Sequence, residues 1–97
     1  MSKLIQKDQW VWVLVQDPGK KEQLLGQRDE ETDEMFIPAF LEKEEARRGF
    51  TFLTREEGHT YEAHAIQYDD LAQRARENGF KLMILSGSGQ VLERITP

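Results

Sequence analysis

The chain has 97 residues, of which 38% are hydrophobic and 32% charged, with a net charge of −5 and no cysteine. This length fits a single domain with one modest core, and the acidic balance argues against a nucleic-acid-binding surface. Without cysteine, the chain can form no disulfide bond, thiolate nucleophile or cysteine-ligated metal site. No apolar run approaches the roughly 20 residues that span a bilayer, and no signal peptide is recognisable. We therefore expect a cytoplasmic protein whose partner is neither a membrane nor a nucleic acid.

The first predicted strand is apolar on both of its faces. Residues 1–9 precede it, and we expect them to form a loosely ordered lead-in. Residues 10–15 (Trp-Val-Trp-Val-Leu-Val) predict a strand with Trp10 and Trp12 on one face and three valines on the other. Such a strand belongs inside a sheet that is covered on both sides, or covered on one side and contacted by a partner on the other. The tryptophan pair is therefore either part of the core or an exposed interaction surface.

A turn, a short element and a second strand follow. Asp-Pro-Gly at residues 17–19 predicts a turn, residues 20–28 favour a short edge element, and residues 29–34 form a polar loop. Residues 35–41 predict a strand with its two phenylalanines on one face and its aliphatic residues on the other. Pro38 cannot donate a hydrogen bond, so either its nitrogen faces away from the neighbouring strand or this strand lies at an edge.

Residues 42–53 predict a helix, because acidic residues come first and basic residues later, as the helix dipole favours. Gly49 lowers the helix propensity by roughly 1 kcal/mol relative to alanine. Alternatively, Gly49 is the C-terminal cap of a shorter helix.

The second half of the chain predicts a strand, a helix and a hairpin. Residues 60–66 alternate between polar and apolar, which is typical of a half-exposed strand. Residues 69–79 predict the clearest helix, which opens on two aspartates and ends at Asn-Gly. Residues 80–85 and 90–95 predict two strands that the small residues 86–89 join as a hairpin.

The order of these elements predicts an α+β fold. We expect a single domain over residues 1–97, with a mixed, mostly antiparallel sheet of four to six strands and two helices packed on it.

From residue 35 onward, the chain resembles the N-terminal domain of SseB-type proteins. Phe-Ile-Pro-Ala-Phe at residues 36–40 runs into the acidic helix start at residues 42–46, and the glycine turn at residues 86–89 follows the last long apolar strand. The resemblance covers about residues 35–93 and implies a mixed α+β sheet domain. Where the family often has an Asn-Pro-Gly-like turn, this chain has Ser-Gly-Ser-Gly. The resemblance transfers no catalytic residue to this chain.

His59 and His64 are the weak candidates for ligand binding. They are the two general bases of the chain that act near neutral pH, and with Glu57 and Glu62 they could form a site of two histidines and one carboxylate. Their spacing matches no zinc motif, so surface histidines without a ligand are the simpler interpretation. The acidic residues 29–34 lack the pattern of a calcium loop.

The sequence predicts no catalytic, cofactor-binding or metal site. It favours a small non-catalytic protein-interaction module, with Trp10 and Trp12 as the candidate surface. The partner would be another protein or a second copy of the chain, bound through a sheet face or an open edge. The alternative is a small-molecule-binding or accessory enzyme domain that uses His59, His64 and the nearby carboxylates.

Overall fold

A computed structural model describes residues 4–97, and this part of the chain contains seven strands and two α-helices. In chain order they are β1 (Trp10–Gln16), β2 (Gln23–Leu24), β3 (Gln27–Asp29), β4 (Glu34–Ala39), α1 (Lys43–Gly49), β5 (Tyr61–Gln67), α2 (Tyr68–Glu77), β6 (Lys81–Leu85) and β7 (Val91–Ile95). The predicted α+β class is confirmed. The strands form two sheets, whereas the sequence predicted one sheet of four to six strands.

The two sheets meet at one pair of backbone hydrogen bonds. The first sheet has the order β2-β1-β5 and is antiparallel, and the second has the order β3-β4-β6-β7 with a parallel β4–β6 pair. Trp12 of β1 donates its N–H to the carbonyl of Phe40 at 2.8 Å, and Phe40 donates back to the carbonyl of Trp12 at 2.8 Å. The segment of β2 and β3 runs from one sheet to the other, because β2 pairs with β1 and β3 pairs with β4.

Pro38 lies inside β4, opposite Met83 of β6. Its neighbours two residues away, Phe36 and Phe40, pair with β3 and β1. Since backbone groups two residues apart in a strand point the same way, the Pro38 nitrogen faces that same side, beyond the end of β3 and away from β6. The proline therefore removes no donor from the β4–β6 ladder.

The valine face of β1 is covered by α2. Val11, Val13 and Val15 are buried in one cluster with Leu71 and Ala75 of α2, as the alternating pattern predicted. The same cluster takes in five apolar residues of the second sheet, which are Ile37, Ala39, Leu82, Ile84 and Ile95. This face of the molecule is the larger part of the core.

The opposite face is covered by α1 and by the single 3₁₀ turn, Phe50–Phe52, that extends it. Phe40 is completely buried there with Leu14 and Ala46. Gly49 is the last residue of α1, with a φ of −67°, and Phe50 is the C-cap. The helix is therefore shorter than residues 42–53, as the alternative had it, but Gly49 is not its cap. A Cβ at Gly49 would lie 2.8 Å from Cζ of the Phe40 ring, so glycine is needed here for close packing.

Part of the predicted lead-in makes defined contacts with α2. Ile5 is buried in the core. The carbonyls of Lys7 and Gln9 accept the N–H groups of Asp69 and Tyr68 at 3.0 and 2.8 Å. These bonds satisfy donors at the start of α2 that have no partner within the helix. Residues 1–3 lie outside the described residues.

We expect Gly49→Ala to destabilise the protein by about 1–3 kcal/mol, because the added methyl group overpacks the Phe40 ring. In an unconstrained helix the same exchange would stabilise by roughly 1 kcal/mol. Urea unfolding measures the difference, and in a Phe40→Leu background the penalty should shrink. A midpoint that rises on Gly49→Ala would contradict this packing.

Candidate functional site

The structure gives the two tryptophans different environments. Trp12 is half-buried at the margin of the core, and Nζ of Lys43 lies 5.5 Å from the centroid of its ring. Trp10 is 58% exposed. The sequence left open whether this face is core or surface, and the structure divides it between the two.

The uncovered part of this face extends onto β5. Trp10 lies opposite Gln67, and Trp12 lies opposite Ala65, whose side chain is exposed. Two residue pairs further along, Leu14 and Ala63 pack into the core beneath α1. The helix therefore covers one end of the β1–β5 pair and leaves the end with Trp10 open.

β5 is an edge strand, with β1 as its single neighbour among the described strands. The direction of its backbone groups follows from β1. Trp12 bonds to Phe40, and the carbonyl of Leu14 accepts the N–H of Leu25 at 2.8 Å, so both residues direct their backbone away from β5. The intervening residues of β1 therefore make the hydrogen bonds to β5, as the alternation of an antiparallel ladder requires.

The outer edge of β5 consequently presents backbone groups that bond to no residue between 4 and 97. Ala65 and Ala63 lie opposite Trp12 and Leu14, in the pairs that do not exchange hydrogen bonds. Their N–H and C=O groups point outward, whereas those of His64 point to Val13 of β1.

β5 has few of the features that protect exposed edges in other proteins. Such edges commonly carry charges, above all lysine, or proline or a bulge, or are very short, and β5 carries one acidic residue, Glu62. β5 has seven residues in unbroken register with β1 and contains neither lysine nor proline. By contrast, β7 is charged and its ladder with β6 has an irregularity at Leu85, and β2 and β3 have two and three residues.

A cleft of about 390 Å³ lies between α1 and β5. Lys43 and Arg47 line it from the helix, and Tyr61 and Ala63 line it from the strand. Phe50 and Tyr61 both line the cleft, and the centroids of their rings lie 5.4 Å apart. The cleft thus joins the open edge of β5 to a cationic helix face.

His59 and His64 are not brought together. They are five residues apart along a nearly extended chain, a separation of roughly 16 Å. Nδ1 of His59 lies 2.6 Å from Oδ2 of Asp17, and Nε2 of His64 lies 3.5 Å from Oε1 of Glu62. Within residues 4–97, no three histidine, aspartate or glutamate side chains are placed to hold a metal ion.

Sequence analysis missed the role of Asp17, which it treated only as part of a turn. Asp17 has a positive φ of 53°, a conformation that aspartate and asparagine tolerate better than most residues. Its Oδ1 accepts the N–H of Thr60 at 3.1 Å, while Oδ2 contacts His59. The hydrogen bond from His59, followed by that from the Thr60 N–H, holds the pKa of Asp17 below its usual value.

A wider cleft of about 810 Å³ lies along the bend between β2 and β3. Gln27 crosses it, since its amide nitrogen donates to the carbonyl of Thr54 and its oxygen accepts the Thr54 N–H, both at 2.8 Å. Arginines and glutamates both line the cleft, and neither His59 nor His64 does.

The fold and this surface define a small α+β domain with one long open strand edge beside an exposed tryptophan. No family model, curated protein or solved structure matches the chain significantly. Between residues 4 and 97, no helix is long and apolar enough to cross a membrane.

The outward direction of the β5 backbone predicts a pattern of amide hydrogen exchange. The amides of Ala63 and Ala65 should exchange at least roughly tenfold faster than those of His64 and Ile66, which bond to β1. Exchange read residue by residue by NMR in the free protein measures this. Equal protection of all four amides would mean that the edge is already occupied, or that the register differs.

Asp17→Asn should make the free energy of unfolding less dependent on pH in the acid range. Because the pKa of Asp17 is lowered in the folded state, its stabilisation is fully present above the ordinary value of 3.8 and is lost as pH falls through the lowered value. The variant should therefore unfold at lower urea than the wild type at neutral pH, and the gap should close in acid. Asparagine keeps the tolerance for positive φ.

A His59→Gln background provides the control for Asp17→Asn, because it removes the first cause of the lowered pKa. In that background, Asp17→Asn should lower the urea midpoint by less than it does in the wild type. A gap that persists unchanged into acid would show that the charge of Asp17 is not what stabilises this turn.

Proposed function

We propose that this protein is a non-catalytic interaction module that binds an extended segment of a partner protein as an additional strand on β5. The observation that carries the proposal is the outer edge of β5, where Ala63 and Ala65 direct their N–H and C=O groups away from β1. In this mode of recognition, main-chain hydrogen bonds supply affinity and neighbouring side-chain pockets supply specificity.

Trp10 and Trp12 supply the apolar contact for such a segment. Strands in a sheet lie about 5 Å apart, so an added strand would lie about 10 Å from β1. Ala65 lies opposite Trp12 on the same face, between β1 and the position of the added strand. Because its side chain is small, an indole ring of β1 can reach across β5 to that strand. An exposed tryptophan beside a binding edge is typical of an interaction hot spot.

The alternative of a small-molecule-binding or accessory enzyme domain has less support. His59 and His64 pair with different carboxylates, and neither lines the cleft beside β5 or the wider cleft at the β2–β3 bend. A cytoplasmic location and the resemblance to SseB-type domains stay predictions from the sequence.

Selection of random short peptides from a display library on the immobilised protein tests the proposal. Ala65→Pro removes one outward N–H and keeps every bond from β5 to β1, so it should weaken the selected peptides about tenfold or more. Ala65→Ser keeps the N–H and a small side chain on the tryptophan face, and is the matched control. Fluorescence anisotropy measures both affinities.

Two outcomes would contradict strand addition. In one, the selected peptides bind Ala65→Pro as tightly as the wild type, and in the other, the library yields no binder. Circular dichroism and urea unfolding of Ala65→Pro establish that the variant is folded. In the expected result, a bound peptide also slows hydrogen exchange at Ala63 and Ala65.

A further inference from the structure

We infer that the natural occupant of the β5 edge is an acidic extended segment of another protein, with a carboxylate beside α1 and an apolar residue beside Trp10. This inference rests on the proposed strand addition to β5. The inference starts from an uneven distribution of charge along the groove between α1 and β5. Lys43 and Arg47 face the groove at the Tyr61–Ala63 end. The other end presents the exposed Trp10 and Ala65.

One of the two cations at the first end is backed by an aromatic ring. Nζ of Lys43 lies 5.5 Å from the centroid of the Trp12 ring. Rings that hold cations in place lower the entropy that a carboxylate would have to overcome to bind them.

The neighbouring acids leave this charge largely available. Glu44 pairs with Arg47 at 3.2 Å, but both side chains are exposed, and such a pair contributes little. Glu62 also lines the cleft, but the residues of β5 alternate between the two faces, and its carboxylate lies 3.5 Å from Nε2 of His64 on the valine face. In a chain with a net charge of −5, cations gathered beside an open edge are a local exception.

A second copy of this chain matches the groove less well. Two-fold pairing of β5 with itself keeps the same face of both copies on one side of the joined sheet. On that face the second strand would present Tyr61, Ala63, Ala65 and Gln67, none of which is acidic. It would also bring a second Lys43 and Arg47 to the same side. Charge complementarity therefore favours a foreign acidic segment.

The test compares two charge reversals that give the same net charge. Arg47→Glu changes the groove, and Arg76→Glu changes an exposed residue of α2, which covers the opposite face. The probes are the peptides selected on the wild type and their copies in which each acidic residue is replaced by lysine. We expect Arg47→Glu to weaken the acidic peptides about tenfold more than Arg76→Glu does, and the lysine copies to regain affinity for Arg47→Glu.

The outcomes separate this inference from the proposed function. Suppose that Ala65→Pro weakens the binding of the selected peptides, but the peptides carry no acidic residue or bind Arg47→Glu as tightly as the wild type. This result would overturn the acidic occupant and leave strand addition intact. Peptides that Ala65→Pro does not weaken would overturn both. Sedimentation of the free protein as a dimer that Ala65→Pro dissociates would identify a second copy as the occupant and overturn the inference.

Discussion

The pair of hydrogen bonds between Trp12 and Phe40 determines most of this structure. It joins two sheets that otherwise have separate strand orders, and it places Phe40, which is completely buried, under α1. It also sets the direction of every backbone group in β1. Because Trp12 bonds to Phe40, the alternate residues of β1 bond to β5, and Ala63 and Ala65 are left facing outward. One contact between the sheets therefore fixes which groups of β5 are free to bind.

Helix length explains why one face of β1 stays partly open. A seven-residue helix such as α1 is about 10 Å long, whereas seven residues of strand extend about 23 Å. α1 alone can therefore cover less than half of the tryptophan face, and together with the 3₁₀ turn that extends it, it covers the end with Leu14. On the valine face the ten residues of α2 are supplemented by Ile5. The exposure of Trp10 is thus a consequence of unequal cover on the two faces.

Local patterns in the sequence predicted most of the elements and missed the division into two sheets. The Asn-Gly end of α2, the hairpin turn before β7 and the separation of Phe36 and Phe40 from the aliphatic residues all follow from neighbouring residues. β2 and β3, with two and three residues, are too short to show a periodicity. Gly49 packs on Phe40 and His59 bonds to Asp17, and contacts so distant in sequence leave no local signal.

The tryptophans of the candidate surface could be picked out from the sequence, but the open edge of β5 could not. Whether a strand lies at an edge depends on the order of strands in the sheet, and the sequence of β5 alone does not specify that order. The composition of β5 has a consequence for specificity all the same. Without lysine, proline or a bulge, it could accept any extended chain, including its own. The net charge of −5 opposes contact between copies, since like charges repel at long range. Lys43 and Arg47 locally reverse that sign beside the edge. That long-range repulsion acts on an acidic segment as well, so the preference for an acidic strand over a second copy depends on the local attraction of Lys43 and Arg47, which would weaken as salt screens the charges.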